Sequence, residues 1–141
     1  MGIEMKGKVT VKVPKAEGLP EGCDSYAFVY MVKDTLGIPK PKCMCKIDKV
    51  KNESNPQYDF DSGEKGVKDD YRCVKIVVKE SKFGPNTKLG EVEIPCEEIV
   101  DQKVVSGAYP LECGGTLYVE VVYEEGSAGI FGEFETTSDS D

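Results

Sequence analysis

An alternation of apolar and polar residues with period two runs through most of this chain and nowhere gives way to a sustained helical period. Successive side chains of a strand point to opposite faces, so this pattern specifies strands with one buried face. Val9, Val11 and Val13 alternate with Lys8, Thr10 and Lys12, and Pro14 is expected to stop that strand. The stretch 15–24 reads as a turn-rich loop. Tyr26 to Lys33 is aromatic and β-branched, as in a strand buried on both faces. From Lys42 to Val50 the alternation sends Cys43, Cys45 and Ile47 one way and Lys42, Met44 and Lys46 the other. Gln57 to Phe60, Cys73 to Lys79, Leu89 to Pro95, Gly107 to Leu111 and Thr116 to Glu124 complete the strand-like pieces. Residues 34–41, holding Gly37, Pro39 and Pro41, read as a loop, as do the polar stretch 62–70 and Gly84-Pro85-Asn86. Only Cys96 to Asp101 suits a helical turn. About eight short strands between turn signals predict an all-β, eight-stranded antiparallel sandwich.

Composition narrows the function classes. A chain of 141 residues is sized for one domain and needs no disulfides to hold it. We expect a lead over 1–6, a sandwich over 7–125 and a short, disordered, acidic C-terminal tail over 126–141. No run approaches the ~20 apolar residues of a membrane span, and the start lacks the apolar stretch of a signal peptide. Histidine is absent, which excludes imidazole-based catalysis and histidine-ligated zinc. No nucleophile stands beside a base, so no enzymatic activity is expected. The net charge of -8 argues against nucleic acid as a partner. Six cysteines without a secretory signal are expected to be reduced, in a cytoplasmic protein. Cys43 and Cys45, two apart on a strand, suit core packing better than a zinc knuckle, because no second pair exists.

Five pieces in order carry a resemblance. They are Ala16-Glu17-Gly18-Leu19-Pro20 after the first strand, Cys23-Asp24-Ser25-Tyr26, Asn55-Pro56-Gln57-Tyr58-Asp59, Lys88-Leu89-Gly90 through Ile94-Pro95, and Ala108-Tyr109-Pro110-Leu111 with Gly115-Thr116-Leu117 to Tyr123. In this order, over Gly7 to Glu124, the chain resembles a C2 domain. The resemblance implies a sandwich that docks on anionic membranes, in many members through calcium held by aspartates on three loops at one end. Here Asp24 matches one first-loop aspartate and Glu21 is its only near neighbour. The third-loop aspartates fall on Lys79, Ser81 and Thr87, with Glu80 beside the first slot. Asp24, Glu21 and Glu80 are thus the candidate calcium ligands, a reduced set for an ion that wants six to eight oxygens. A calcium-independent module is the expectation.

Charge is unevenly spread. From Lys33 to Lys51 there are six lysines against two aspartates, inside an acidic protein. Lys40, Lys42 and Lys46 share parity, so a strand starting that early gives them one face. Lys40, Lys42, Lys46, Lys49, Lys51 and, on another strand, Lys75 are the candidate residues for anionic phospholipid headgroups. The expectation is a peripheral membrane or adaptor module binding such lipids weakly. The alternatives are a protein-interaction domain with no lipid role and calcium-dependent lipid binding through the reduced loop site. In the tail, Ile130, Phe131 and Phe134 are candidate apolar anchors for a protein partner, and Thr136 and Ser138 stand ahead of acids, where phosphorylation would add negative charge.

Overall fold

The computed structural model describes residues 2–126 and 132–140. Eight strands and one short helix follow in the order β1 (Ile3–Glu17), β2 (Ser25–Thr35), β3 (Ile38–Val50), β4 (Gln57–Asp61), β5 (Lys65–Glu80), β6 (Thr87–Pro95), α1 (Cys96–Gln102), β7 (Val104–Pro110) and β8 (Thr116–Glu125). All strand pairs are antiparallel. One layer runs β3-β2-β5-β6 and the other β4-β1-β8-β7. They join where the first half of β1, Ile3 to Val9, pairs with the first half of β5, Lys65 to Tyr71. The expected antiparallel sandwich is therefore present.

The inner faces are those the alternation marked. Val9, Val11, Val13, Ala27, Val29, Val74, Ile76, Val78, Leu117 and Val121 are fully buried in one core. Burying each such side chain contributes roughly 1.5–3 kcal/mol, and the summed effect fixes the register of every inward strand. β2 is buried on its outer face too: Tyr26 and Phe28 meet edge to face at 5.7 Å and, with Cys43, form a second small cluster. Gly90 is demanded by packing, since a Cβ there would lie 2.8 Å from the backbone nitrogen of Glu112.

The strands are longer than their apolar patterns. β1 continues through Pro14 because a bulge between Val13 and Lys15 absorbs the residue that cannot donate to the ladder. The stretch 34–41 is a hairpin rather than a loop: Thr35 pairs with Ile38 around Leu36 and Gly37, both at positive φ, as a two-residue turn of matching twist requires. Pro39 and Pro41 fit there because β3 is an edge strand, where a missing N–H on the outer side costs no bond. Lys65 to Asp70, within the stretch read as a polar connector, likewise belong to β5, held by pairing with β1.

One irregularity reassigns side chains. Val29 pairs with Cys45 and the next residue, Tyr30, pairs with Cys43, so Met44 is an inserted bulge residue. Upstream of it the parity flips. Met44 enters the core and Cys43 turns outward beside Tyr26 and Phe28, the reverse of simple alternation. Lys42 therefore does not share a face with Lys46.

Candidate functional site

Three connections gather at one end of the sandwich. The Asp24 carboxylate accepts the Asn52 N–H at 2.7 Å, and its carbonyl accepts the Ser81 N–H at 2.8 Å. The Gly18 N–H donates to the Asn55 side chain at 3.0 Å, and the Leu19 N–H donates to the Ser54 carbonyl at 2.9 Å. Asp24 thus ties the β1–β2, β3–β4 and β5–β6 connections together, as short polar side chains do when they accept from a nearby turn. Glu80 lies 3.7 Å from the Lys82 ammonium, and Glu21 is exposed. Among the described residues no three acidic or thiol groups converge to hold a metal ion. The buried Cys23 thiol behind this end is pushed up to about 11, first by burial and then by the nearby Glu80 charge.

The β5–β6 connection carries Phe83, whose side chain is wholly exposed. Its loop is nevertheless held: the Lys82 N–H donates to the Asn86 side chain at 3.0 Å, and the Asn86 amide donates to the Tyr26 hydroxyl at 2.7 Å. A hydrogen-bonded loop thus presents a bare aromatic ring beside Lys82. Lys46 and Lys49 line a small cleft against Ser81 and Asn86 of the same loop. Lys46 lies over the Tyr26 and Phe28 rings, 5.2 and 5.7 Å from their centroids, where the ring quadrupole attracts the cation. Lys49 and Lys51 are exposed, and no ion pair links either to a described residue.

The other lysine candidates are placed differently. Lys40 is exposed near the far end of β3. Lys75, on β5, lies 3.3 Å from Glu91 of β6. Lys42 faces the C-terminal segment, at 3.5 Å from the Glu133 carboxylate and 4.6 Å from the centroid of the Phe134 ring. The six lysines are thus not one patch. Three stand at the loop end of β3, and the rest lie apart from them or beside an acid.

Residues 132–140 form no helix or strand, yet they lie against the sandwich. Phe134 is buried in the main core, and its N–H donates to the Gly66 carbonyl at 2.8 Å. Glu133 accepts from the Tyr71 hydroxyl and pairs with Lys33 at 3.0 Å. Burial would raise the Glu133 carboxyl, but Tyr71, Lys33 and Lys42 outweigh it and hold it below the ordinary carboxylate range. Thr137 donates its N–H to the Cys43 carbonyl at 2.9 Å and its hydroxyl to the Met44 carbonyl at 3.2 Å. Asp139 accepts from the Tyr30 hydroxyl at 3.0 Å. Of the three proposed anchors only Phe134 is placed, and it is engaged within this chain; Ile130 and Phe131 lie outside the described residues. Among the described residues no helix is long and apolar enough to cross a membrane.

The comparisons with known proteins agree with this architecture. A family model, described as the C2 domain, matches residues 7–111. Among solved structures, a C2 domain aligns with a TM-score of 0.66 at 16% identity, covering 84% of this chain and 98% of its own. A C2 domain of a plant extended synaptotagmin 1 aligns with a TM-score of 0.67 at 20% identity, covering 89% of this chain and 99% of its own. Human GIVD cytosolic phospholipase A2 aligns with a TM-score of 0.66 at 16% identity over 90% of this chain but 18% of its own. No curated protein sequence gives a match.

Proposed function

Because this chain belongs to the C2 domain family, we propose that it is a peripheral membrane module, a non-catalytic adaptor that binds anionic phospholipid headgroups without calcium from the cytoplasmic side. The observation that carries the reading is the loop end of β3. There Lys46, Lys49 and Lys51 stand clear of carboxylates on the described residues, and Lys46 and Lys49 line a cleft against Ser81 and Asn86 of the loop that carries the exposed ring of Phe83. Each ammonium near an anionic surface contributes about 1 kcal/mol, and an aromatic ring entering the headgroup region adds apolar burial. Three such lysines give weak, multivalent, salt-sensitive attachment. Lys40, Lys42 and Lys75 have secondary parts in this reading, because they lie away from Phe83 or beside an acid.

The way the candidate ligands are used supports the calcium-independent reading. The Asp24 carboxylate already accepts a backbone N–H, Glu80 faces Lys82, and Glu21 stands apart in solvent. Co-sedimentation with phosphatidylcholine vesicles tests the reading, with and without phosphatidylserine, at low and high salt, in calcium or chelator. We expect sedimentation only with the anionic lipid, weakened by salt and unchanged by chelator. Sedimentation that requires calcium would restore a loop-bound cation, and equal failure on all vesicles would remove the lipid role.

A further inference from the structure

β3 is an edge strand, and an exposed edge offers its unpaired backbone groups to any extended segment. Here the offer is taken up. Thr137 satisfies the carbonyls of Cys43 and Met44 at the bulge, with both its N–H and its hydroxyl. On one side of that crossing Phe134 enters the main core; on the other Asp139 reaches Tyr30, beside the outer aromatic cluster. The segment therefore wraps the edge rather than lying on one face.

Its seat is chemically selective. Glu133 meets Lys33 at 3.0 Å and Lys42 at 3.5 Å, and the side chains of Lys33, Lys42 and Glu133 are 20%, 22% and 22% exposed. Both pairs are thus shielded more than an ordinary surface pair, and Tyr71 supplies a neutral donor to the same carboxylate. Lys42 additionally covers the Phe134 ring. Further along, Ser140 reaches the cleft that Lys46 and Lys49 line. A carboxylate, an aromatic ring on the next residue and a hydroxyl residue for the bulge are each matched by a distinct feature of the groove.

We propose that the groove along the β3 edge is a docking surface for an extended acidic-aromatic segment, that its occupant is residues 133–139 of the same chain, and that this segment competes with an anionic membrane for the lysines of β3. The competition rests on the lipid reading above; the seat does not. Both are anionic ligands of neighbouring lysines, and Ser140 stands where a headgroup would approach Lys46 and Lys49. Membrane docking then displaces the segment, and strengthening the seat weakens docking.

The test uses the full chain. Hydrogen exchange is read at the Thr137 amide, free and on phosphatidylcholine–phosphatidylserine vesicles, and vesicle affinity is compared with that of Glu133→Gln. This variant removes the charge and leaves Phe134 in place. We expect slow Thr137 exchange in the free chain, exchange at least tenfold faster on the vesicles, and about threefold to tenfold tighter vesicle binding by E133Q. Unprotected Thr137 in the free chain would overturn the seat. Thr137 still protected on the membrane, with E133Q binding no tighter, would overturn the competition and leave lipid docking standing. Protected Thr137 with no vesicle binding by either chain would overturn lipid docking, and the competition with it, while the seat survives.

Discussion

The two ends of β3 carry the same residue type in opposite surroundings. At one end Lys42 faces Glu133 and Phe134, with Lys33 beside it on β2. At the other, Lys46, Lys49 and Lys51 have no carboxylate partner among the described residues, and Lys46 and Lys49 border the loop that bears Phe83. The bulge at Met44 separates the two regimes, because it turns Lys42 away from the face that Lys46 occupies. On the proposed reading, a lysine's capacity to meet a membrane depends on what already neutralises it more than on its place in a basic run. Salt sharpens the contrast: exposed charges are screened over about 8–10 Å, whereas half-buried pairs are screened much less.

The largest expected effect comes from reversing charge at the open end. The double variant K49E/K51E should lose at least tenfold in affinity for phosphatidylserine vesicles by co-sedimentation, since two attractions become repulsions. K42E, at the covered end, should change the same affinity by less than threefold; equal losses at both ends would break the comparison. Next in size, Phe83→Ala should weaken vesicle binding roughly threefold to tenfold while leaving the melting temperature unchanged, because the ring contributes nothing to the folded core. Thr136→Glu, which places a charge in the groove lined by Lys40 and Lys42, should slow Thr137 exchange and weaken vesicle binding by about twofold to threefold.

Acid should release the covered end. The Glu133 carboxyl is held below its ordinary value in the folded chain, so its contribution to seating is complete above the ordinary carboxylate range. That contribution fades as pH falls below that range and is lost through the lower folded value. Protection of the Thr137 amide, measured against the intrinsic exchange rate at the same pH, should therefore fall in the acid window, while Tyr26 and Phe28 beside Lys46 remain packed. The smallest effect belongs to Lys46→Ala. Losing its contacts with the Tyr26 and Phe28 rings should cost about 0.5–1 kcal/mol, a fall of a few degrees in thermal unfolding.

Much of the sandwich was legible because the core itself produces alternation. Val9, Val11 and Val13 in β1, and Leu117, Val119 and Val121 in β8, are buried at the positions their spacing marks. Strand ends were less legible, because pairing rather than side-chain burial extends them. Pro14, Pro39 and Pro41 argue locally for breaks, yet a bulge and an edge strand accommodate them. Lys65 to Asp70 join β5 without an apolar pattern, through their ladder to β1. The face assigned to Cys43, Met44 and Lys42 failed for one reason: a single inserted residue reverses period-two parity, and composition does not mark where that insertion falls.

The candidate site divides in the same way. The loop-end lysines were visible as local charge, and Asp24 as a turn carboxylate. Phe83 carries no such signal, since nothing local distinguishes a bare loop ring from a packed one. The seating of Glu133, Phe134 and Thr137 depends on partners 100, 68 and 94 positions away along the chain (Lys33, Gly66 and Cys43). Such contacts arise only once the sheet brings those strands together. An acidic segment with isolated aromatics reads as an unattached tail until the groove exists.

We propose that the open end of β3 meets the membrane. The most direct measurement is co-sedimentation of the full chain and of K49E/K51E with phosphatidylcholine–phosphatidylserine vesicles in chelator. The unaltered chain should sediment with these vesicles and remain in the supernatant with pure phosphatidylcholine, and K49E/K51E should stay in the supernatant with both. Undiminished sedimentation of K49E/K51E with the anionic vesicles would contradict the proposal.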